Sequence, residues 1–215
     1  MRVALVGGTG KQGRGLALRW ARAGHEVRVG SRDGERGRAA AAEFGAGVAG
    51  GDNAWAVSEA DVVVVCVPYA AHRATMQWLA GVLGDRVAID VTVPLAPPKL
   101  SRVTLPEGQA AALEAQAILG ADAKLVAALH HVSSVHLADV DHAIDCDVLV
   151  CGNDPDSRQQ VVELAEAAGM KAWHAGQLAN SVVAEALTSV LIFMNNRYGI
   201  DGAGIRVTGT PTKSG

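Results

Sequence analysis

A glycine-rich turn follows the first apolar run of the chain and has the spacing of a phosphate-binding loop. Val3–Val6 leads into Gly8-Thr9-Gly10-Lys11-Gln12-Gly13, and a helix-like stretch follows at once. Glycines at this spacing permit a tight bend, close approach of a pyrophosphate and close helix–strand packing, while the helix N-terminus supplies amide donors. A turn that binds nothing is the alternative, but the strand–turn–helix context favours dinucleotide binding. The predicted contacts are Gly8, Thr9, Gly10, Lys11, Gln12 and Gly13.

The end of the second apolar run indicates which dinucleotide would bind. It ends in Ser31-Arg32, where a chain that binds NAD usually carries an acidic residue for the ribose 2′-hydroxyl. Arg and Ser can instead bind a 2′-phosphate, and we expect the next helix to bring Arg36 towards Ser31. A solvated basic turn is the alternative, since Arg28 and Arg38 lie nearby. We therefore predict that Ser31, Arg32 and Arg36 select NADP.

Three later segments follow apolar runs and are predicted to converge on the same ligand. They are residues 66–69, 90–94 and 129–134. In an open α/β sheet the ligand lies across the carboxyl ends of the strands. We therefore expect Tyr69, and Arg73 one turn later, to contact the ribose and pyrophosphate region.

The paired histidines His130-His131 lie near the start of the third of these segments. Histidine is a common general acid or base, but no carboxylate lies at helical distance to orient either ring. The alternative is that one ring packs against the cofactor and the other is solvent-exposed or locally hydrogen-bonded. Further histidines and aspartates follow at irregular spacing, which is typical of a solvated loop, and we expect no metal site there. These residues are His136, Asp139, Asp141, His142 and Asp145.

Continuous apolar strands alternating with Ala-rich helices predict the fold class. The pattern is typical of a parallel sheet covered on both faces, so we predict an α/β, Rossmann-type doubly wound sheet with a small C-terminal helical extension. We divide the chain into a nucleotide-binding domain, residues 1–145, and a small C-terminal domain, residues 146–215. The predicted strands are Arg2–Val6, Glu26–Val29, Val62–Val67, Val87–Asp90, Lys124–Ala128 and Asp147–Cys151.

The C-terminal part contains a long, largely apolar helix. We expect it to begin near Asn180-Ser181, a reasonable capping pair, after a further short strand in KAWHAG. Its apolar residues occupy nearly the whole circumference, so we expect burial within the chain or in a subunit interface. A Gly-rich tail with a short apolar segment, Ile205–Val207, follows.

The composition and charge of the 215-residue chain argue against several classes of partner. A net charge of −3 gives no electrostatic reason to expect nucleic acid or an anionic membrane. We expect no apolar stretch to approach the ~20 residues of a membrane span, and the first residues already form a buried-strand pattern, so we expect a cytoplasmic protein. Cys66, Cys146 and Cys151 form no CxxC pair, so we expect buried thiols and no zinc.

The whole chain resembles the F420-dependent NADP oxidoreductases, also called NADPH-dependent F420 reductases. The resemblance begins in MRVALVGGTGKQGRGLALRWARAGHEVRVGSR and continues through VPYAAH, LVAALHHVSS, DVLVCGNDPDS and AGQLANS to GIRVTG. It implies hydride transfer between NADP(H) and the deazaflavin coenzyme F420, with no metal and no tightly bound flavin. It also implies a homo-oligomer, most simply a homodimer.

The resemblance also implies roles for individual residues. Residues 9–12 match the pyrophosphate turn, and the Ser31, Arg32 and Arg36 group matches a 2′-phosphate clamp. Tyr69 and Arg73 fall where cofactor contacts occur. His130, Val132 and Ser134 match the segment beside the nicotinamide, where we expect His130 to shape the cleft. Ala203 falls in a turn that resembles an F420 contact.

Two other functions remain open from the residues themselves. One is an NADP-dependent reductase of a small carbonyl or imine substrate, although the short C-terminal part leaves little room for a separate substrate domain. The other is a non-catalytic NADP(H)-binding regulatory module.

The anionic tail of F420 would need basic partners, for which the candidates are Arg197, Arg206 and Lys213.

Overall fold

A computed structural model describes residues 1–45 and 47–212, and within them eight strands form one sheet. The strands are β1 (Arg2–Val6), β2 (Glu26–Ser31), β3 (Val48–Asp52), β4 (Val62–Val65), β5 (Val87–Asp90), β6 (Leu125–Ala127), β7 (Asp147–Gly152) and β8 (Lys171–His174). The helices are α1 (Lys11–Arg22), α2 (Gly34–Phe44), α3 (Asn53–Ser58), α4 (Tyr69–Ala80), α5 (Ala111–Leu119), α6 (Ser134–Ala138), α7 (Pro155–Ala167) and α8 (Ser181–Tyr198).

The sheet is wound outward in both directions from its first strand. Its order is β3-β2-β1-β4-β5-β6-β7-β8, and the strands from β1 to β6 are parallel. The order reverses between β1 and β4, which opens a crevice at the carboxyl ends of those strands. The predicted Rossmann-type α/β fold is confirmed, and α8 supplies the predicted C-terminal helix.

The last two strands run against the others. β7 is antiparallel to β6, and β8 is parallel to β7. A continuous apolar run does not encode strand direction, so the sequence predicted these strands without predicting this reversal. Both strands lie beyond residue 145 and yet extend the same sheet; the division at that residue stays a prediction.

Side chains of alternate strand residues form two cores, one on each face of the sheet. Val3 and Leu5 pack with Leu16 and Trp20 of α1 on one face. Residues of α3, α4 and α5 pack on the other face. This alternation is what a strand covered on both faces requires.

Three elements, β3, α3 and α6, were absent from the sequence prediction. The strand β3 reads VAGGD, and its two glycines carry no side chains that could show a strand pattern. A side chain at Gly50 would collide with the backbone of Gly37, so the missing side chains allow α2 to pack close to β3. The helices α3 and α6 have six and five residues, which is too short for helical periodicity to be visible.

The helix α8 begins at Ser181, as predicted, but it differs from the prediction in its cap. The Asn180 side chain does not cap it and instead donates to the carbonyl of Ala175 at 2.7 Å. Together with the preceding 3₁₀ turn the helical segment runs from Leu178 to Tyr198, which by length and composition alone is enough to cross a membrane. The expectation that no apolar stretch approaches that length is therefore wrong. Its apolar circumference is only partly covered, since Val183 and Phe193 are exposed.

The buried Arg19 of α1 fixes the irregular loop between α6 and β7. Its guanidinium donates to the carbonyls of His136, Leu137, Asp139 and His142 at 2.6 to 3.0 Å, and to that of Ala168 at 3.2 Å. The planar fork of arginine suits this task because it carries five N–H donors. Arg19 therefore supplies most of the backbone contacts that hold the loop after α6, and Arg22 adds one exposed contact to the carbonyl of Val140 at 3.0 Å.

Replacing Arg19 by methionine is expected to lower the free energy of unfolding by about 3 kcal/mol, because several buried carbonyls lose their donor. The matched control is Arg22→Met on the same helix, which loses only exposed contacts, to Asp141 and to the carbonyl of Val140, together worth about 1 kcal/mol or less. Urea unfolding followed by circular dichroism measures both. Equal losses in the two variants would contradict the role of Arg19.

Candidate functional site

A cleft of about 580 Å³ lies at the carboxyl ends of the parallel strands. The structure brings the three predicted strand-end segments together there, with the glycine turn on one side and the C-terminal part on the other. Of the predicted site residues, the cleft is lined by Thr9, Gly10, Lys11, Gln12, Gly13, Arg36, His130, Val132, Ser134 and Ala203. Its size is in the range of small-molecule sites.

The glycine turn joins β1 to α1, and at Gly8 and Gly13 it leaves no room for a side chain. Gly8 is buried beneath the cleft, and a side chain at Gly13 would collide with the Gly8 backbone. Gly10 precedes the first helical residue, and a side chain there would meet nothing within 4 Å. The open side of Gly10 and the free amides of the first helical turn form a cradle for an anionic group.

Asn53 supports the turn from below and was not predicted. Gly7 has a φ of 68°, and its N–H donates to Asn53 Oδ1 at 3.1 Å. A positive φ favours glycine, so the side-chain amide stabilises a conformation that the turn requires. No motif in the sequence marks this residue, because it belongs to the unpredicted β3–α3 segment.

The arginines within and after β2 differ in their partners. Arg28 pairs with Glu26 and Glu59, and Arg38 pairs with Glu35. Within residues 1–45 and 47–212, Arg32 and Arg36 form neither a salt bridge nor a side-chain hydrogen bond, and both are exposed. Arg36 lines the main cleft, whereas Arg32 lines a smaller neighbouring pocket with Ser31. The two arginines predicted to bind phosphate are therefore the two available for it.

Tyr69 and Arg73 of α4, which the sequence predicted to contact the ribose and pyrophosphate region, are not among the described residues that line the main cleft. The Tyr69 hydroxyl donates to Glu114 Oε2 of α5 at 2.8 Å, and burial raises the pKa of Tyr69 to about 12. Arg73 lines a groove with Glu107 and Glu114. In this part of the chain the main cleft is lined by Cys66, Val67 and Pro68 instead. The structure therefore does not bring Tyr69 and Arg73 to the predicted ligand position; their cofactor role stays a prediction.

Both paired histidines are buried at the cleft. His131 Nε2 lies 2.8 Å from the carbonyl oxygen of Asp147, whereas neither ring nitrogen of His130 has a partner among the described residues. Burial lowers the pKa of His130 to about 4, and it also lowers that of His131. Neither ring is solvent-exposed, because the β6 exit turns both side chains inward, and His131 has the local hydrogen bond that the alternative allowed for one ring. Both rings are neutral at physiological pH.

The backbone before the histidines is held in an uncommon conformation. Leu129 has a φ of 66°, a region that branched residues rarely adopt, and its side chain is buried. The Gln12 side chain donates to the Leu129 carbonyl at 3.1 Å. Thr188 of α8 donates to the carbonyl of His130 at 3.0 Å. These two contacts join the glycine turn and the C-terminal helix to the histidine segment.

A group of buried ionisable side chains lies under the cleft and was not predicted. His72 Nε2 lies 2.7 Å from Asp90 Oδ2, while Asp90 Oδ1 accepts from the N–H of Thr92 at 3.0 Å. Burial opposes protonation of His72, but the hydrogen bond to Asp90 gives it a raised pKa overall. The pair thus fixes the backbone at the β5 exit, which lines the cleft.

Glu185 completes this group from α8. Its carboxylate accepts from the backbone N–H groups of Ala111 and Ala112, at 2.7 and 3.1 Å. Burial raises the pKa of Glu185 to about 7, although these two donors oppose the shift. A single acidic residue inside an apolar helix was the available sequence signal for it.

Thiols, metal ligands and basic tail residues complete the survey of predicted groups. The three cysteines are free, and burial raises the pKa of Cys66 to about 12. Within the described ranges no three His, Cys, Asp or Glu side chains are placed to hold a metal. Arg197 is exposed on α8, and Arg206 pairs with Asp145 at 3.3 Å. Lys213 lies outside the described residues.

The lining of the cleft suits an anionic ligand with flat apolar parts. Across the chain from residue 1 to 212, residue 46 aside, none of its lining side chains is Asp or Glu, while Lys11 and Arg36 are cationic. Small residues line the opposite end, namely Ser133, Gly202 and Ala203. The arrangement can bind phosphates at one end and ring systems at the other.

Known proteins are similar to this chain over nearly its whole length. A family model described as NADP oxidoreductase, coenzyme F420-dependent, matches residues 2–94. A relative from Methanothermobacter thermautotrophicus named F420-dependent NADP reductase is 37% identical, with 98% of this chain and 96% of that protein covered. One of the same name from Methanocaldococcus jannaschii is 36% identical, with 97% and 98% covered. A solved structure from Arthrobacter sp., described as a candidate F420-dependent NADP reductase, has a TM-score of 0.82 at 25% identity, with 97% and 100% covered.

Glu185→Gln is expected to change how stability depends on pH. The folded state binds the Glu185 proton more tightly than the unfolded state, so this group lowers stability as pH rises from about 4.5 to about 7. The unfolding free energy of the wild type should therefore fall relative to Glu185→Gln over that window, by roughly 3 kcal/mol. Denaturant unfolding at several pH values measures the difference. Glu166→Gln, on the exposed face of α7, is the control, and a pH-independent difference for Glu185→Gln would contradict the assignment.

Proposed function

Because this chain belongs to the family of F420-dependent NADP oxidoreductases, we propose that its cleft binds NADP(H) and coenzyme F420 and that it transfers hydride reversibly between them. One observation carries the proposal beyond the family: a single cleft joins a phosphate cradle with free cations to a wall of small residues. One end suits a dinucleotide phosphate, and the other leaves room for a flat ring.

The glycine turn and the first turn of α1 hold the pyrophosphate. Gly8 and Gly13 let α1 approach β1, and Gly10 leaves its open side to the phosphates. Thr9, Lys11 and Gln12 line the same part of the cleft, where Lys11 adds positive charge. The side-chain amide of Gln12 donates to the Leu129 carbonyl, so Gln12 also positions the histidine segment that faces the glycine turn.

Ser31, Arg32 and Arg36 select the 2′-phosphate. Arginine offers a planar pair of donors to a phosphate, and among the described residues neither arginine forms a salt bridge, although Asp52 also lines the pocket of Ser31 and Arg32. The acidic residue that would bind a ribose 2′-hydroxyl is replaced by Arg32. NADP(H) is therefore favoured over NAD(H).

The small residues at the other end orient the two ring systems. When bound, the nicotinamide and the deazaflavin supply the hydride chemistry, and the protein contributes close stacking, orientation and exclusion of water. Val132, Ser134 and Ala203 line this end with His130. Since His130 is neutral above about pH 4, we assign it a role in shaping the cleft and no obligatory proton transfer.

We propose that the protein is a cytoplasmic homodimer, and the exposed apolar stripe of α8 supports the dimer. Val183, Val190 and Phe193 share one side of this helix and are 43 to 64% exposed in the single chain. Such a stripe marks an interaction surface, and a second copy is the partner that the family resemblance favours. Light scattering should give twice the mass of the chain; a monomer would refute the dimer.

The activity itself is tested by mixing the protein with NADPH and F420 and following the deazaflavin absorbance. The proposal expects loss of the oxidised F420 absorbance in step with NADPH oxidation. Binding of NADPH without any absorbance change would indicate a non-catalytic binding module. Oxidation of NADPH with a small carbonyl or imine, but not with F420, would indicate the other reductase class.

The 2′-phosphate assignment is tested with the double variant Arg32→Ala, Arg36→Ala. Loss of two charge-assisted contacts should raise the KM for NADPH between about tenfold and a hundredfold, while the KM for NADH changes little. Arg38→Ala removes a neighbouring arginine that is already paired with Glu35, and it serves as the control. Equal rises for both dinucleotides would defeat the assignment.

A further inference from the structure

Asp147 is a buried carboxylate at the edge of the sheet where the cleft lies. It is the first residue of β7 and is 6% exposed. Because β7 runs antiparallel to β6, its first residue lies at the same edge as the carboxyl ends of the parallel strands. A parallel strand in this place would put that residue at the opposite edge.

The backbone N–H, the backbone carbonyl and one carboxylate oxygen of Asp147 all form hydrogen bonds with residues outside β7. Its N–H donates to the carbonyl of Ile205 at 2.8 Å, and its carbonyl accepts from His131 Nε2 at the same distance. Its Oδ2 accepts from the N–H of Val207 and from Trp173 Nε1, both at 2.8 Å. Burial opposes ionisation, but these two donors lower the pKa of Asp147 overall. Asp147 thus connects the tail to the histidine segment.

The tail that Asp147 holds forms one wall of the cleft. Gly202 and Ala203 line the cleft, and Asn195 Oδ1 accepts from the N–H of Ala203 at 2.8 Å. A side chain at Gly202 would come within 2.7 Å of Ser133 Oγ, and one at Gly204 within 2.7 Å of Cys146. The wall therefore packs closely against the core, and its place depends on its hydrogen bonds.

We propose that Asp147 is a positioning residue for the second substrate: it holds residues 202–207 and His131 where the ring of F420 binds, and it leaves NADP(H) binding unaffected. The role of F420 in this statement rests on the proposed function. A backbone carbonyl can only accept, so its contact fixes the proton of neutral His131 on Nε2. Among the described residues, Asp147 forms no hydrogen bond with the glycine turn or with the arginines after β2, so its substitution should affect F420 binding more than NADPH binding.

The first test compares Asp147→Ala with Trp173→Phe. Asp147→Ala removes the acceptor of the tail and should raise the KM for F420 about tenfold or more, with the KM for NADPH within about twofold of wild type. Trp173→Phe removes the other donor to the same oxygen and leaves the tail contact in place, so both KM values should stay near wild type. Asp147→Asn keeps a side-chain oxygen acceptor and should restore most of the F420 affinity. Equal rises for both substrates, or no rise for F420, would overturn the proposal.

Hydrogen exchange at the Val207 amide provides a readout that does not need activity. Exchange should be faster in Asp147→Ala and unchanged in Trp173→Phe; unchanged exchange in both would overturn the anchoring role. If the exchange results agree with these expectations but the wild-type protein does not act on F420, the proposed function is wrong and the anchoring role of Asp147 is still supported. Should Asp147→Ala fail to fold, Val207→Pro removes the same hydrogen bond from the tail side. Val207→Pro should raise the KM for F420 and leave the KM for NADPH near that of the wild type, and an equal rise in both KM values would reject the proposal.

Discussion

The close contact between Gly8 and Gly13 is the constraint on which the rest of the site depends. It brings α1 against the end of β1, so the N-terminus of that helix points into the crevice. From that position α1 also reaches the facing wall through Gln12 and Arg19. A bulkier residue at either glycine would displace the phosphate cradle and, with it, the support of the histidine segment and of the α6 loop.

The electrostatics of the cleft follow from the positions of the nearby acidic side chains. Asp90 and Glu185 are buried under the site, where His72 and the first amides of α5 satisfy them. The lining itself carries cations at one end and neutral side chains elsewhere. An anionic ligand therefore meets no exposed carboxylate within the described cleft, while the buried acids hold together the elements beneath it.

Much of this could be predicted from the sequence because the signals are local. The glycine spacing, the apolar strands and the basic residues after β2 act within a few residues of one another, and so they are visible without a structure. Direction and orientation are not local. The reversal of β7, the turning of Tyr69 towards Glu114 and the burial of both histidines depend on partners far along the chain. Arg19 looked like an ordinary basic residue near the end of a helix, since its acceptors are all backbone carbonyls more than a hundred residues away.

Those same carbonyls give the α6 loop an evolutionary freedom. Every residue type carries a backbone carbonyl, so Arg19 holds the loop by atoms that substitution cannot remove. The side chains of residues 136–142 can therefore diverge while the path of the chain is kept. Those side chains could change one at a time during evolution, because no new contact would be needed to hold the loop in place.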